Sequence, residues 1–383
     1  MQSRRKGVRV PASERLAAAL LERIERGDYP PGTWLPTERE LAAEFRADRS
    51  TIRTALSSLA DQEWIVREQG RRPRVGPRAD RPVERDAPRS GLLTLAMLSP
   101  QTPHFPATPA IQRGILYVLT VKEAPYRLTV FDNQAASMAE TVRKERKALT
   151  AIVDDGVCGL VLWHQGNVDT VPDIRAVQQA GIPVVLVDRR HPSVECDFVG
   201  IDNVGAARDA VGYLLDLGHR RIAHLTVDDP TSTIADRERG YSEALLARGI
   251  RPDDRLVSRM SILSRMQPPV TEAVDYFLSM EEPPTAVFVM NDLLAHAAVT
   301  ELQARGVSVP GRISVMGFDD MDRDSPRPSP LTTMHQPFEQ MGEKAIELLL
   351  SRLAQPAGLS STFRHVLLPT RLIVRSSCRP LPA

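Results

Sequence analysis

From residue 92 to the C-terminus, short apolar runs alternate with amphipathic stretches, and no other feature constrains the fold as strongly. The runs fall at 92–98, 127–131, 159–163, 183–187, 221–226, 285–290 and 314–318. Helix-like stretches lie between them at 135–154, 204–217, 235–248, 293–305 and 337–353. Strands that alternate with helices imply an α/β fold, a mostly parallel sheet with helices on both faces. Residues 92–380 are many for one doubly wound sheet. Two similar lobes are expected, with a cleft at the C-terminal ends of their strands.

The N-terminal part follows a different pattern. Residues 72–91 carry Pro73, Pro77, Pro82 and Pro88 and almost no apolar side chains, too little to form a core. The expected division is therefore a small unit at 1–76, a linker at 77–91 and a large domain at 92–380. Within the small unit, Leu16, Leu20 and Ile24 mark a first amphipathic helix. Thr37 and Glu40 have the spacing of a capping box, so a second helix should begin at Glu38. Asp48 can cap a third helix through its carboxylate. Leu41, Phe45, Ile52, Leu56 and Leu59 then bury one face of this helix pair. The other face of the third helix opens with Arg49, Ser50, Thr51 and Arg53, the layout of a helix-turn-helix that puts its first turn into a DNA major groove. Residues 63–67 and 74–76 look like short strands around a basic tip, which makes a winged version of the motif.

Charge agrees with that partner. Residues 1–90 hold 19 Lys or Arg against 14 Asp or Glu, whereas the remainder holds 30 against 34. Positive charge is concentrated where phosphate neutralisation would need it. The longest clean apolar run, 92–98, is too short to span a membrane, and no apolar segment follows the charged N-terminus as in a secretory signal. Three scattered cysteines, Cys158, Cys196 and Cys378, describe neither a disulfide framework nor a zinc site, and a reduced cytoplasm fits them. There is no G-x-S-x-G, Walker A or H-E-x-x-H spacing, so no catalytic residue, metal or cofactor is expected. The rival readings are a secreted sugar-binding protein and an α/β enzyme acting on a sugar.

The small unit resembles the GntR family of bacterial transcription regulators. The resemblance is carried by Gly27-Asp28-Tyr29-Pro30-Pro31-Gly32, Leu35-Pro36-Thr37-Glu38-Arg39-Glu40-Leu41-Ala42, Arg49-Ser50-Thr51-Ile52-Arg53-Thr54-Ala55-Leu56 and Leu59. It implies that Arg39, Arg49 and Arg53 contact DNA with help from Ser50 and Thr51, and that Gly70 and Arg71 form the wing tip. Arg49 or Arg53 could pair bidentately with guanine, while the hydroxyls would bind phosphates. Two departures bear on the operator. Phe45-Arg46-Ala47-Asp48 stands where the family has Leu-Gly-Val-Ser, and Gly70-Arg71-Arg72-Pro73 where it has Gly-Arg-Gly-Thr.

The large domain resembles the effector-binding domain of LacI/GalR-type repressors, akin to periplasmic sugar-binding proteins. The carrying segments include Val185-Leu186-Val187-Asp188-Arg189, Gly200-Ile201-Asp202-Asn203, Arg237-Glu238-Arg239-Gly240-Tyr241, Met290-Asn291-Asp292, Gly317-Phe318-Asp319-Asp320 and His335-Gln336-Pro337. By this resemblance Trp163, Asp188, Arg237, Asn291, Asp319 and Gln336 line a ligand cleft, with His104 and Phe105 from the loop after the first strand. Carboxylates, an amide, an arginine fork and an aromatic face suit a sugar. Each also has a plain structural reading. Trp163 could be core, Asp188 and Asp319 could pair with Arg189 and Arg323, and Asn291 could cap a helix. The combination is similar to arabinose-repressor-type regulators. It implies a cytoplasmic homodimer that represses from an inverted-repeat operator in double-stranded DNA and answers to a small sugar, with no membrane partner.

Overall fold

The structure is a computed structural model of the chain. It describes residues 12–25, 28–30, 32–45, 47–61, 64–67, 72–76, 93–101, 107–135, 137–166, 168–229, 231–261, 270–323, 329–355 and 362–381. The chain divides into two compact units, Met1–Arg89 and Ser90–Ala383. The expected linker at 77–91, the turn residue Arg46, the wing residues Gly70 and Arg71, and His104 and Phe105 all lie outside the described residues.

The first unit consists of α1 (Ala12–Glu25), α2 (Glu38–Glu44), α3 (Arg49–Asp61) and an antiparallel pair, β1 (Ile65–Val66) and β2 (Arg74–Val75). Both helix starts are set by local chemistry. Thr37 Oγ1 accepts from the Glu40 amide at 3.2 Å while Glu40 accepts from the Thr37 amide at 2.7 Å, closing the box that starts α2. Asp48 accepts the Thr51 amide at 2.8 Å and so starts α3. Leu16, Leu20, Ile24, Leu41, Ile52, Leu56 and Leu59 are buried in one core, which Leu35, Ile65 and Val75 complete from the turn and the hairpin. Each such aliphatic side chain contributes roughly 1.5–3 kcal/mol. Phe45 packs on this core half-buried.

The second unit continues with β3 (Leu93–Ser99), α4 (Ala107–Val121), β4 (Tyr126–Asp132), α5 (Met138–Asp154), β5 (Gly159–Leu162), α6 (Val171–Gln179), β6 (Val184–Val187) and β7 (Asp197–Ile201). Next come α7 (Asn203–Asp216), β8 (Ile222–Asp228), α8 (Ser232–Ala247), β9 (Val257–Ser261), α9 (Val270–Ser279), β10 (Ala286–Val289), α10 (Asp292–Ala304) and β11 (Ser314–Met316). It ends with β12 (Thr333–His335), α11 (Phe338–Leu353), β13 (His365–Leu368) and β14 (Arg371–Ile373).

Two parallel sheets result, ordered β13-β7-β6-β5-β3-β4 and β11-β10-β8-β9. Their central strands, such as Gly159-Leu160-Val161-Leu162 and Val184-Val185-Leu186-Val187, are apolar throughout because helices cover both faces. Helix α11 returns to the first sheet and packs against α4, whereas α7 packs against α8 on the second. The chain therefore passes between lobes three times, at Asp202, at Gln336-Pro337 and at residues 369–370. The antiparallel pair β12–β14 and the single bridge Asp319–His335 lie at these passages.

Candidate functional site

The C-terminal ends of both sheets converge on one buried polar array. Trp163 follows β5 and Asp188 follows β6; Asp319 follows β11 and Gln336 occupies the second passage between lobes. Arg237 reaches them from the second turn of α8. All five are nearly inaccessible to solvent. Asp188, Asp319 and Asp320 adopt φ values of 66°, 112° and 58°, a left-handed backbone that aspartate tolerates better than most residues. Such backbone persists where surrounding structure enforces it, commonly at ligand sites.

Arg237 is the hub. Its Nε donates to Asn203 Oδ1 at 3.0 Å and its Nη1 to the Met290 carbonyl at 2.5 Å. Nη1 also lies 3.4 Å from Asp319 Oδ1, and the guanidinium sits 3.9 Å above the Phe318 ring. Gly240, one turn further along α8, makes this reach possible: a Cβ there would come within 2.4 Å of the Val204 carbonyl on α7. The Arg-x-x-Gly spacing thus couples helix approach to guanidinium placement.

Asp319 accepts a 2.6 Å hydrogen bond from Gln336 Nε2, while the buried Gln336 Oε1 has no hydrogen-bond partner among the described residues. Burial pushes the Asp319 carboxyl up to about 6 against the pull of Arg237. Burial likewise raises Asp188, opposed by Arg189 and Arg237. Arg189 Nε lies 3.6 Å from Asp188, and its guanidinium is 5.8 Å from the Trp163 ring centre. Trp163 stacks on Phe338 with centroids 6.3 Å apart. A cavity of about 380 Å³ opens beside Asp319 and Gln336 and is also lined by Arg113, His335, Phe338 and Glu343. Asn291 is half-exposed and uses its Oδ1 to cap α10 through the Leu294 amide at 3.0 Å, which leaves its NH2 group for other partners.

Two features escaped the sequence. Asn203 and Phe318 belong to the array, as does Arg189, which stands beside Asp188 as one of the two readings of that carboxylate has it. Behind Trp163, Glu145 accepts from Thr170 Oγ1 at 3.1 Å and from Asn133 Nδ2 at 3.2 Å. Burial pushes Glu145 up to about 7. His164 Nδ1 accepts from the Gly166 amide at 3.1 Å, so Nε2 carries the proton that faces Thr170. This cluster holds the loop that follows β5.

In the first unit Arg39, Arg49 and Arg53 are exposed. Glu38 holds Arg53 and Arg67 at 3.3 Å each. Ser50 is exposed and Thr51 half-exposed at the start of α3, and both hydroxyls point at Asp48.

Residues 12–75 match the bacterial regulatory proteins of the gntR family, and residues 211–378 match the periplasmic binding protein-like domain. The arabinose metabolism transcriptional repressor of Geobacillus stearothermophilus is 27% identical over 379 residues, spanning 97% of this chain and 99% of that protein. The HTH-type transcriptional regulator DegA of Bacillus subtilis is 30% identical over 243 residues, covering 62% of this chain and 69% of its own. Among solved structures, the transcriptional regulator CelR–cellobiose complex superposes with a TM-score of 0.63 at 24% identity, over 90% of this chain and all of the other.

Proposed function

The chain belongs to the bacterial HTH-type transcriptional regulators, with a gntR-family head and a periplasmic-binding-protein-like domain, and from that premise we propose that it is a repressor released or engaged by a small sugar. The observation that carries this reading is the buried array of Arg237, Asp319, Gln336 and Asp188 between two parallel sheets. Vicinal hydroxyls would donate to Asp188 and Asp319 and accept from the Arg237 fork, and the Trp163 ring would cover the apolar C–H face. The NH2 group of Asn291 adds a donor, and His104 and Phe105 would close the cleft from the first loop. The names of two relatives support a saccharide: one represses arabinose metabolism, and the other was solved with cellobiose. In this reading the cleft binds its ligand without changing it.

Arg39, Arg49 and Arg53 would meet the duplex, with Ser50 and Thr51 at the start of α3 and Gly70 and Arg71 at the wing. A homodimer would place two heads on an inverted repeat. The exposed apolar stripe on α4, formed by Leu116, Tyr117 and Val121, supports association with a second copy. Among the described residues no helix is long and apolar enough to cross a membrane, and we assign the protein to the cytoplasm. A sugar can shift operator affinity only by its differential affinity for two lobe arrangements, typically about 1–3 kcal/mol.

A thermal-shift screen over a panel of pentoses, hexoses and disaccharides, followed by mobility shifts on the DNA upstream of its own gene, tests the reading. One sugar should raise the melting temperature and alter the shift. Stabilisation by a nucleoside or an amino acid alone would reject the sugar, and no retarded complex at low salt would reject the operator.

A further inference from the structure

The start of α3 carries an anion, Asp48, and this anion fixes where the neighbouring protons go. Asp48 Oδ1 accepts from Ser50 Oγ at 2.5 Å and from the Thr51 amide at 2.8 Å, and Oδ2 accepts from Thr51 Oγ1 at 2.8 Å. One turn on, Thr54 Oγ1 donates to the Ser50 carbonyl at 3.0 Å. A hydroxyl has a single proton. Ser50, Thr51 and Thr54 have each spent theirs inside the helix, and what they turn outward is lone pairs. A phosphodiester oxygen can only accept, so a contact with these hydroxyls would set lone pair against lone pair beside a carboxylate. The major groove, by contrast, offers exocyclic amino donors at adenine N6 and cytosine N4.

We propose that Asp48 is a specificity-determining residue: it makes Ser50 and Thr51 obligate acceptors, so that they read base amino groups in the major groove in place of phosphates. The assignment rests on the DNA-binding reading above. It divides the exposed face of α3 by polarity, with Arg49 and Arg53 supplying only donors and the hydroxyls only acceptors. Guanine O6 and N7 suit the first set; adenine N6 or cytosine N4 suits the second. The three hydrogen bonds also hold the Asp48 carboxyl far below the ordinary carboxylate range, so the arrangement persists at any pH where DNA is bound. Replacement by serine would return the hydroxyl protons and remove the anion.

The test uses the full chain and a duplex selected by it from a randomised pool. In that duplex each adenine is replaced in turn by purine and each cytosine by 2-pyrimidinone, deleting the amino group; separately, each phosphate is replaced by methylphosphonate. The wild-type chain should lose roughly five-fold or more at one or two amino deletions, the effect of leaving one hydrogen-bonding group unpaired. Asp48→Asn still caps α3, since asparagine and aspartate cap equally well. Its NH2 group, in place of Oδ2, cannot accept from Thr51, so the sensitivity at the position that Thr51 reads should fall to below two-fold, while Ser50, still donating to Oδ1, keeps its own. Ser50→Ala and Thr51→Val should each lose the sensitivity at its own position and keep the wild-type methylphosphonate profile. The proposal is overturned if amino deletions are neutral for the wild type, if Asp48→Asn retains the wild-type profile, or if Ser50→Ala and Thr51→Val lose a methylphosphonate effect. Failure of the wild-type chain to enrich any sequence would instead reject the regulator reading, and this assignment with it.

Discussion

Arg237 and Asp319 face each other across 3.4 Å with almost no exposure, yet the shorter bonds of Arg237 go to Asn203 and to the Met290 carbonyl. Asn203 opens α7 directly after the first passage between lobes, and Gln336, which donates to Asp319, stands at the second. A ligand that draws on this pair therefore pulls on two of the three hinge strands.

Arg237→Ala should remove the response to the effector and also destabilise the large domain, because Asp319 is left buried without its cation. Breaking a buried pair in this way costs about 3–5 kcal/mol. Gln336→Leu should be milder. It keeps the Arg237–Asp319 pair but frees the hinge strand, so ligand binding should survive with weaker control of DNA. Calorimetric titration and thermal melts of both variants check this; an unchanged titration with Arg237→Ala would remove that residue from the site.

Stability should fall as pH rises through the neutral range. Burial, together with the charge of Asp319, pushes Asp292 up to about 8, and Glu145 is pushed up to about 7. Carboxyls whose folded values exceed their unfolded ones bind a proton more tightly when folded, so the stability they contribute is full below about pH 4 and drains away towards pH 8. Asp292→Asn should flatten that decline, since an amide can still accept from the Met321 amide and meet Thr333 Oγ1, which Asp292 now contacts at 2.9 and 2.7 Å. Melting temperatures from pH 5 to 8.5 should converge for the two proteins at the acid end and separate at the alkaline end. Parallel curves would contradict the assignment.

Much of this was legible from local chemistry. The capping box at Thr37, the cap at Asp48 and the apolar spacing from Leu41 to Leu59 act within a few residues, so the first unit can be read almost position by position. Seven strands and five helices of the second unit also fall within a few residues of their expected places. What stayed hidden depends on chain segments that meet only in the fold. Strands β12, β13 and β14 are three or four residues long and pair across long separations, so periodicity carries little signal for them. Helix α4 is apolar around most of its girth because α11 covers much of it. Glu145, Asn133, His164 and Thr170 come from four separate segments, and no spacing joins them. Asn203 sat inside a noticed motif, but its role follows from where Arg237 points.

Operator affinity should respond to Glu38 in the opposite sense from the arginines. Arg49→Ala or Arg53→Ala should weaken DNA binding while leaving effector affinity unchanged. Losing a phosphate contact would lower the salt slope by about 1, whereas losing a guanine contact would relax base preference. Glu38 holds Arg53 and Arg67 by exposed ion pairs, which contribute little stability in themselves. Glu38→Gln should therefore leave the melting temperature nearly unchanged and tighten binding to any duplex several-fold, read by fluorescence anisotropy at two salt concentrations. Weaker binding would mean that Glu38 orients Arg53 for the groove.

The stripe on α4 predicts how the heads are paired. Leu116, Tyr117 and Val121 are 49%, 59% and 63% exposed, and they share one face of a helix whose opposite face is buried on α11. Apolar surface that follows helical spacing and stays open to solvent is favoured only if another molecule covers it. Tyr117→Glu places a charge at the centre of the stripe on a side chain that is 59% exposed, so it should leave the melting temperature and sugar titration intact. Sedimentation should then show the dimer dissociating to a monomer. Because a linked second head raises overall binding by about 10²–10⁴ without new contacts, operator affinity should fall by a factor in that range while half-site affinity is unchanged. A dimer that persists in Tyr117→Glu would move the interface off α4.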